Sequence, residues 1–423
     1  MSTFRALSGH NYRVWATGAA VSNIGTWMQR TAQDWVVLTE LTHNNATAVG
    51  IVMALQFGPQ VLLLPITGYA ADSLDRRKLL FATQAGLGLV ALGLGLLIVT
   101  GVVQLWHVYA FAFLQGCVAA FDAPARQTFV SELVADEHLS NAVALNSTSF
   151  NAGRMIGPAV AGVLIALVGS GWVFLINAAS FAATLVALLF MRVHELRRRE
   201  RPQTRGRLSD GFRYIWQRPD LKAGLVMLFL VGTFGLNFPI FISTMAVSVF
   251  HKGAGQFGLL TSVMAVGSVT GALLAARRAR PRMELLLGGA ILFGAGLAAA
   301  ALMPAYAAFA LALAVVGVAA QTFTTSANGL MQMSTEPALR GRVMAIFLAV
   351  ALGTTPVGAP VTGWVADVFG PRWGVAVGAA SGFLAALVGL RYLVLHRGLR
   401  VGFEGGRVRI RLDTPVDAGS PPA

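Results

Sequence analysis

Apolar residues run along this chain in blocks of about 20, the length that crosses a bilayer as a helix, and short polar stretches separate them. Twelve blocks are predicted as helical spans: Val14–Leu38, Ala48–Ala70, Leu79–Val99, Leu105–Pro124, Ala142–Val168, Trp172–Met191, Ala223–Phe250, Phe257–Ala276, Leu285–Met303, Tyr306–Met333, Val343–Val368 and Gly374–Leu395. Glycine-rich runs such as Gly86–Gly95 suit helices that pack closely in lipid. The longest polar interruption, Arg192–Lys222, splits six spans from six. The expected architecture is an all-α membrane protein with an N-terminal half over residues 1–191, a basic linker over 192–222, a C-terminal half over 223–396 and a tail over 397–423. Within the linker, Leu208–Trp216 reads as a basic amphipathic piece that can lie on the membrane surface, held near anionic lipid.

The two halves carry degraded copies of one pattern. Gly157, Gly162, Gly169 and Trp172 recur at a constant offset as Gly358, Gly363, Gly370 and Trp373. A membrane protein of two related halves has the build of a transporter in which one half rocks against the other around a central site.

Composition agrees with this picture. Hydrophobic residues make up 56% of the chain and charged ones 12%, against about 25% charged in soluble domains. The net charge of +14 raises the question of nucleic acid, but its placement answers it. With the N-terminus in the cytoplasm, Lys252 and Arg372 fall outside and Arg30 and Arg154 lie within spans. Every other Lys and Arg falls on the inner side or at inner helix ends, as the positive-inside bias requires. Both termini are therefore expected in the cytoplasm of a cell that keeps this protein in its inner or plasma membrane, and no soluble domain is present to host nucleic acid. Cys117 is the only cysteine, and the seven histidines are scattered, so neither a disulfide nor a metal site is expected. No phosphate-binding loop is present, which argues against direct use of ATP, and no secretory signal is visible.

Between the second and third spans stands Gly68-Tyr-Ala-Ala-Asp72-Ser-Leu-Asp75-Arg76-Arg77-Lys78. Gly68 permits close helix approach, Asp72 can accept from a helix N-terminus, and Arg76 and Arg77 can bridge to carboxylates. This loop resembles the signature of the major facilitator superfamily, and its Asp-Arg-Arg resembles the branch of enterobactin-exporter-like and macrolide-efflux-like proteins. Asp122-Ala-Pro124-Ala-Arg126 resembles the same branch. Gly153-Arg154-Met-Ile-Gly157-Pro158, followed by Gly162, resembles the superfamily's antiporter motif; ordinary small-residue packing is the other reading. The superfamily's usual relay arginine in the fourth span is absent, with Ala112 in its place. The resemblance implies a gate in which Asp72, Arg76 and Arg77 tie the halves together, with Asp122 and Arg342 as expected partners. A relic of the loop follows Gly271 with Arg277, Arg278, Arg280 and Arg282, but Ala275 replaces its acid.

The first span is the most polar. Asn23, Trp27, Arg30 and Asp34 step by four, three and four and share one helix face. Charges this deep cost at least about 2.5 kcal/mol each unless paired or wet. Arg30 and Asp34 are spaced either to form a structural ion pair or to let Asp34 exchange a proton during transport. Arg154 needs a partner, for which Asp34 and Asp122 are the acids within reach. Further cavity candidates are Gln33, Asn237, Gln321 and Asn328, each of which can instead bond neighbouring helices.

The expected function is secondary export of small, largely apolar organic molecules, drug-like compounds or siderophores, by proton antiport. Small-molecule substrate, protons and lipid are the expected partners of a monomer without cofactor, metal or enzymatic activity. A proton-coupled importer on the same scaffold and a transport-dead sensor are the alternatives.

Overall fold

The computed structural model describes residues 4–197, 208–276, 283–398, 400–404 and 407–411, with the side chains of residues 65, 69, 71, 72, 276 and 400–411 outside that description. Among the described residues, twelve helical stretches, some of them interrupted, occupy the twelve expected blocks. Those of the first half are α1 (His10–Trp35), α2 (Ala46–Leu62, continued by Leu64–Ser73), α3 (Arg76–Val99), α4 (Leu105–Leu133), α5 (Asp136–Val168) and α6 (Ser170–Leu189). Those of the second are α7 (Pro219–Val249), α8 (Ala254–Ala276), α9 (Met283–Leu302), α10 (Tyr306–Met333), α11 (Arg340–Phe369) and α12 (Pro371–Arg397). Among the described residues, ten of these are long and apolar enough to cross a bilayer unaided. The two exceptions have physical causes. Helix α1 is long but carries the polar face read from the sequence, and α2 is interrupted at Leu63, four residues after Pro59 and just before Pro65. Proline removes a backbone donor and pushes against the preceding turn.

Short helix Leu208–Gln217 precedes α7, and its Gly211 packs on Arg342 at the start of α11. After α12 the backbone forms an antiparallel hairpin of β1 (Arg400–Glu404) and β2 (Arg407–Arg411), the one departure from an all-α chain among the described residues. Residues 198–207 of the linker, the four arginines of the second-half relic and the chain beyond 411 lie outside the described residues.

The internal repeat is a repeat of structure. Gly169 and Gly370 open α6 and α12 with φ of 92° and 103°, a region that favours glycine. Trp172 and Trp373, three residues on, are both exposed at the outer rim of the bundle, where amphipathic rings anchor to the interface. Apolar side chains such as Leu89, Leu167, Leu302, Leu311 and Leu387 are exposed as lipid would require.

We call the end bearing Arg76, Arg126 and Arg340 the basic end. At the opposite end the halves close on each other along two equivalent seams, α5 with α8 and α11 with α2. A Cβ on Gly162 would lie 2.6 Å from the Ala254 carbonyl, and one on Gly363 would lie 2.5 Å from that of Ala46. Gly50 abuts the Ala359 carbonyl, and Gly258 that of Pro158. Small residues are what permit such backbone approach in lipid. An apolar cluster runs through the seam, with Val49, Val52 and Met53 against Ile240, Ala359 and Ala366. Asp367 at the end of α11 locks it: its carboxylate accepts from Ala46 N (2.7 Å), Thr47 N (2.9 Å) and Thr47 Oγ1 (2.5 Å) at the start of α2. Toward the basic end, Gly58, Gly68 and Gly341 face open space, with nothing within 4 Å of a Cβ.

Candidate functional site

The α1 face predicted from its spacing is the wall of a cavity of about 220 Å³ between the halves. Trp27, Arg30, Thr31 and Asp34 from α1, Gln56 and Phe57 from α2 and Arg154 from α5 line one side. Phe238, Ile242, Phe257, Thr261, Met264 and Thr355 of the second half line the other. All the fixed charge is thus on one half, facing an apolar wall with two hydroxyls. The Trp27 ring is contacted by two cations, with Arg30 Cζ at 5.0 Å and Arg154 Cζ at 5.8 Å from its centroid. Arg30 also faces the Phe57 ring at 5.9 Å. Such cation–π contacts offset part of the cost of burying a guanidinium.

Among the described residues neither arginine makes a hydrogen-bonded ion pair with an acid, although Asp34 is the charge that acts on Arg30. Arg154 Nη2 reaches Ser268 Oγ across the halves at 3.5 Å, the limit of a hydrogen bond, and the Arg30 Nε is buried with no partner. Asp34 shares the wall with Arg30, yet no hydrogen bond joins them among the described residues; their side chains leave α1 side by side into the same cavity. Asp122 lies elsewhere, held between α3 and α4 by Thr83 Oγ1 (2.8 Å), Gln84 Nε2 (2.6 Å) and Arg126 Nε (3.1 Å). Its carboxylate is already occupied, while that of Asp34 is not.

A second cavity of about 600 Å³ lies on the basic side of the first. Asn23, Gln60, Gln115, Asp122, Arg126 and Asn151 line it, and Arg30 borders both spaces. Helix α5 reaches this region because its glycines fit α1: a Cβ on Gly153 would meet the Asn23 backbone at 2.9 Å, and one on Gly157 would meet Trp27 Cβ at 2.7 Å. The antiporter-like motif therefore does two structural jobs. Gly153 and Gly157 seat α5 on α1, while Pro158 and Gly162 form the seam with α8.

Several predicted residues are not on these walls. Gln33 is buried one residue before Asp34, which turns it about 100° round the helix and off the cavity face. Asn237 is enclosed within the second half, donating to Thr233 O (2.8 Å) and Thr362 Oγ1 (3.1 Å). Gln321 and Asn328 bond along α10 itself, to Thr325 (3.1 Å) and Gln332 (2.7 Å). At the basic end, Arg76 pairs with Glu132, and Arg77 Nε donates to Leu188 O (2.9 Å), both within the first half. The side chain of Asp72 lies outside the described residues. Among the described residues nothing lies within 4 Å of a Cβ on Gly68. Sequence reading missed Gln56, Phe57, Thr261 and Thr355 in the cavity, and Glu132 and Asp367 at the two ends.

Comparison with known proteins fits this geometry. The family model for transmembrane secretion effectors (MFS_3) matches residues 1–398. An enterobactin exporter, EntS, of Citrobacter koseri is 26% identical over 389 residues, covering 91% of this chain and 90% of its own. EntS of Escherichia coli O1:K1 is 26% identical over 370 residues, covering 86% of this chain and 87% of its own. Among solved structures, a bacterial homolog of the human lysosomal transporter Spinster, inward-facing and unoccupied, aligns with a TM-score of 0.69 at 16% identity over 90% of this chain and 98% of its own. A POT family transporter in complex with 5-aminolevulinic acid aligns with a TM-score of 0.74 at 12% identity over 91% and 96%. The chain is a multi-pass membrane protein with the major facilitator fold, and it belongs to the transmembrane secretion effector family.

Proposed function

We propose that this protein exports small, largely apolar organic molecules, drug-like compounds or siderophores, across the inner membrane by alternating access. The observation that carries this reading is the asymmetry of the interface. Backbones touch at Gly50, Gly162, Gly258 and Gly363 at one end, while Gly58, Gly68 and Gly341 face open space toward the other. With the basic loops in the cytoplasm, this is the inward-open state, ready to load from inside. The export direction also draws on the relatives named as enterobactin exporters. Driving force comes from protons entering in exchange, with Asp34 as their carrier, since Asp122 is engaged by three donors. The outward-open state requires the seam to part and the basic end to close, where Asp72, Arg76, Arg77 and Arg342 serve as the gate. The test is accumulation of a panel of labelled compounds in efflux-deficient cells with and without this protein. Lower accumulation of some members, restored by collapsing the proton gradient, supports the reading. Higher accumulation would make the protein an importer.

A further inference from the structure

The charge of the central cavity does not suit a purely apolar cargo. Two guanidiniums and one carboxylate face it, so with Asp34 ionised the site carries one net positive charge. Neither guanidinium is satisfied by the protein. Arg30 has a buried Nε with no partner, and Arg154 has one hydroxyl at 3.5 Å. Both lie against the same indole, which sets their donors side by side at one cavity. Two cations facing one cavity repel each other, and each lacks hydrogen bonds that an anion supplies best. The opposite wall, with Phe238, Ile242, Phe257 and Met264, is apolar.

We infer that the cavity takes an amphiphilic organic monoanion. Its carboxylate or phenolate sits between Arg30 and Arg154 over the edge of Trp27, and its apolar body lies against Phe238, Phe257 and Met264. One monoanion makes the loaded cavity neutral while Asp34 stays ionised, which is the condition for occluding it in a low dielectric. A body larger than about 220 Å³ extends past Arg30 into the second cavity. An organic cation is disfavoured, since Asp34 is one carboxylate against two arginines. This inference rests on the transport reading for its purpose, but its test reads binding alone.

The test is equilibrium dialysis of purified full-length protein in neutral detergent against three probes of one shape: 2-naphthoate, 2-naphthamide and 2-naphthylmethylammonium. The naphthoate is expected to bind at least about ten-fold more tightly than the amide, as charge-assisted bonds to two guanidiniums imply, and the ammonium weakest of all. Arg154→Gln and Arg30→Gln should each remove that preference and leave amide binding in place. Arg154→Lys should retain part of it, which separates lost charge from lost fold. Asp34→Asn, which leaves both guanidiniums in place, should keep naphthoate preferred over the amide. Equal binding of the three probes, preference for the ammonium, or no naphthoate binding at millimolar concentration overturns the inference. Anion binding by a protein that lowers accumulation of no compound in cells would overturn the export reading and leave the site standing.

Discussion

Replacing Asp367 with Asn alters the far seam at its most polar point. The carboxylate accepts three hydrogen bonds from the first turn of α2, at 2.7, 2.9 and 2.5 Å. An amide keeps one acceptor oxygen and turns an NH2 group toward the remaining N–H. A lost hydrogen bond to a charged acceptor is worth about 1.5–3 kcal/mol, and a carboxylate at a helix N-terminus adds about 0.3–1 kcal/mol. Asp367 is exposed, so water replaces part of this. A net loss of about 1–2 kcal/mol from the closed seam is expected after that discount, a shift of about 5- to 30-fold toward the state open at this end. The assay is a spin-label distance distribution between Val102→Cys and Ala305→Cys, exposed loop sites in opposite halves at the far end, with Cys117 replaced by Ser. The long-distance population should rise in the variant and fall again on restoring the acid as Glu. An unchanged distribution in Asp367→Asn would show that the seam rests on its glycine contacts and that the carboxylate is incidental.

Three further outcomes follow from the same geometry. Gly258→Val places a side chain against the Pro158 carbonyl and 3.2 Å from the Gly162 Cα, so it should hold the far end open and abolish transport, while Gly258→Ala should impair it less; normal transport by the Val variant refutes the seam. Asp34→Asn in sealed vesicles with an imposed pH gradient should lose gradient-driven transport and keep downhill exchange, whereas retained uphill transport with loss in Asp122→Asn would move the proton to α4. Glu132→Gln removes a carboxylate partner of Arg76 at a buried site and should lower thermal stability by about 1–3 kcal/mol, read as a lower Tm in detergent; an unchanged Tm would mark the pair as solvated.

The parts of this molecule legible in its sequence are those that local period encodes. The twelve blocks follow from length and apolarity, and the Trp27, Arg30 and Asp34 face follows from helical spacing alone. The repeated Gly and Trp pattern marked the two halves as related, and one of its glycine pairs, Gly162 and Gly363, stands where backbones approach closely at the two seams. Contacts between distant segments were not legible. Asp367 stands at the end of an apolar block, and its partners lie 320 and 321 residues away. Glu132 pairs with an arginine 56 residues back, where the sequence offered Asp122 as a nearer match to the family pattern. Gln321 and Asn328 show why polarity alone misleads: α10 presents them on its surface bonded to their own neighbours four residues on, and the cavity wall is built from Thr261 and Thr355 instead.

The central claim is that transport requires the far seam to part, and a reversible lock across it tests this most directly. Thr47 Oγ1 and Asp367 Oδ2 are 2.5 Å apart across the seam, so cysteines at the two positions can be joined by a short bifunctional thiol reagent that reduction cleaves. In a background with Cys117 replaced, cross-linked Thr47→Cys/Asp367→Cys protein should still bind its substrate from the basic side. It should move none across a proteoliposome membrane and regain transport on reduction. Undiminished transport by fully cross-linked protein would contradict alternating access at this seam.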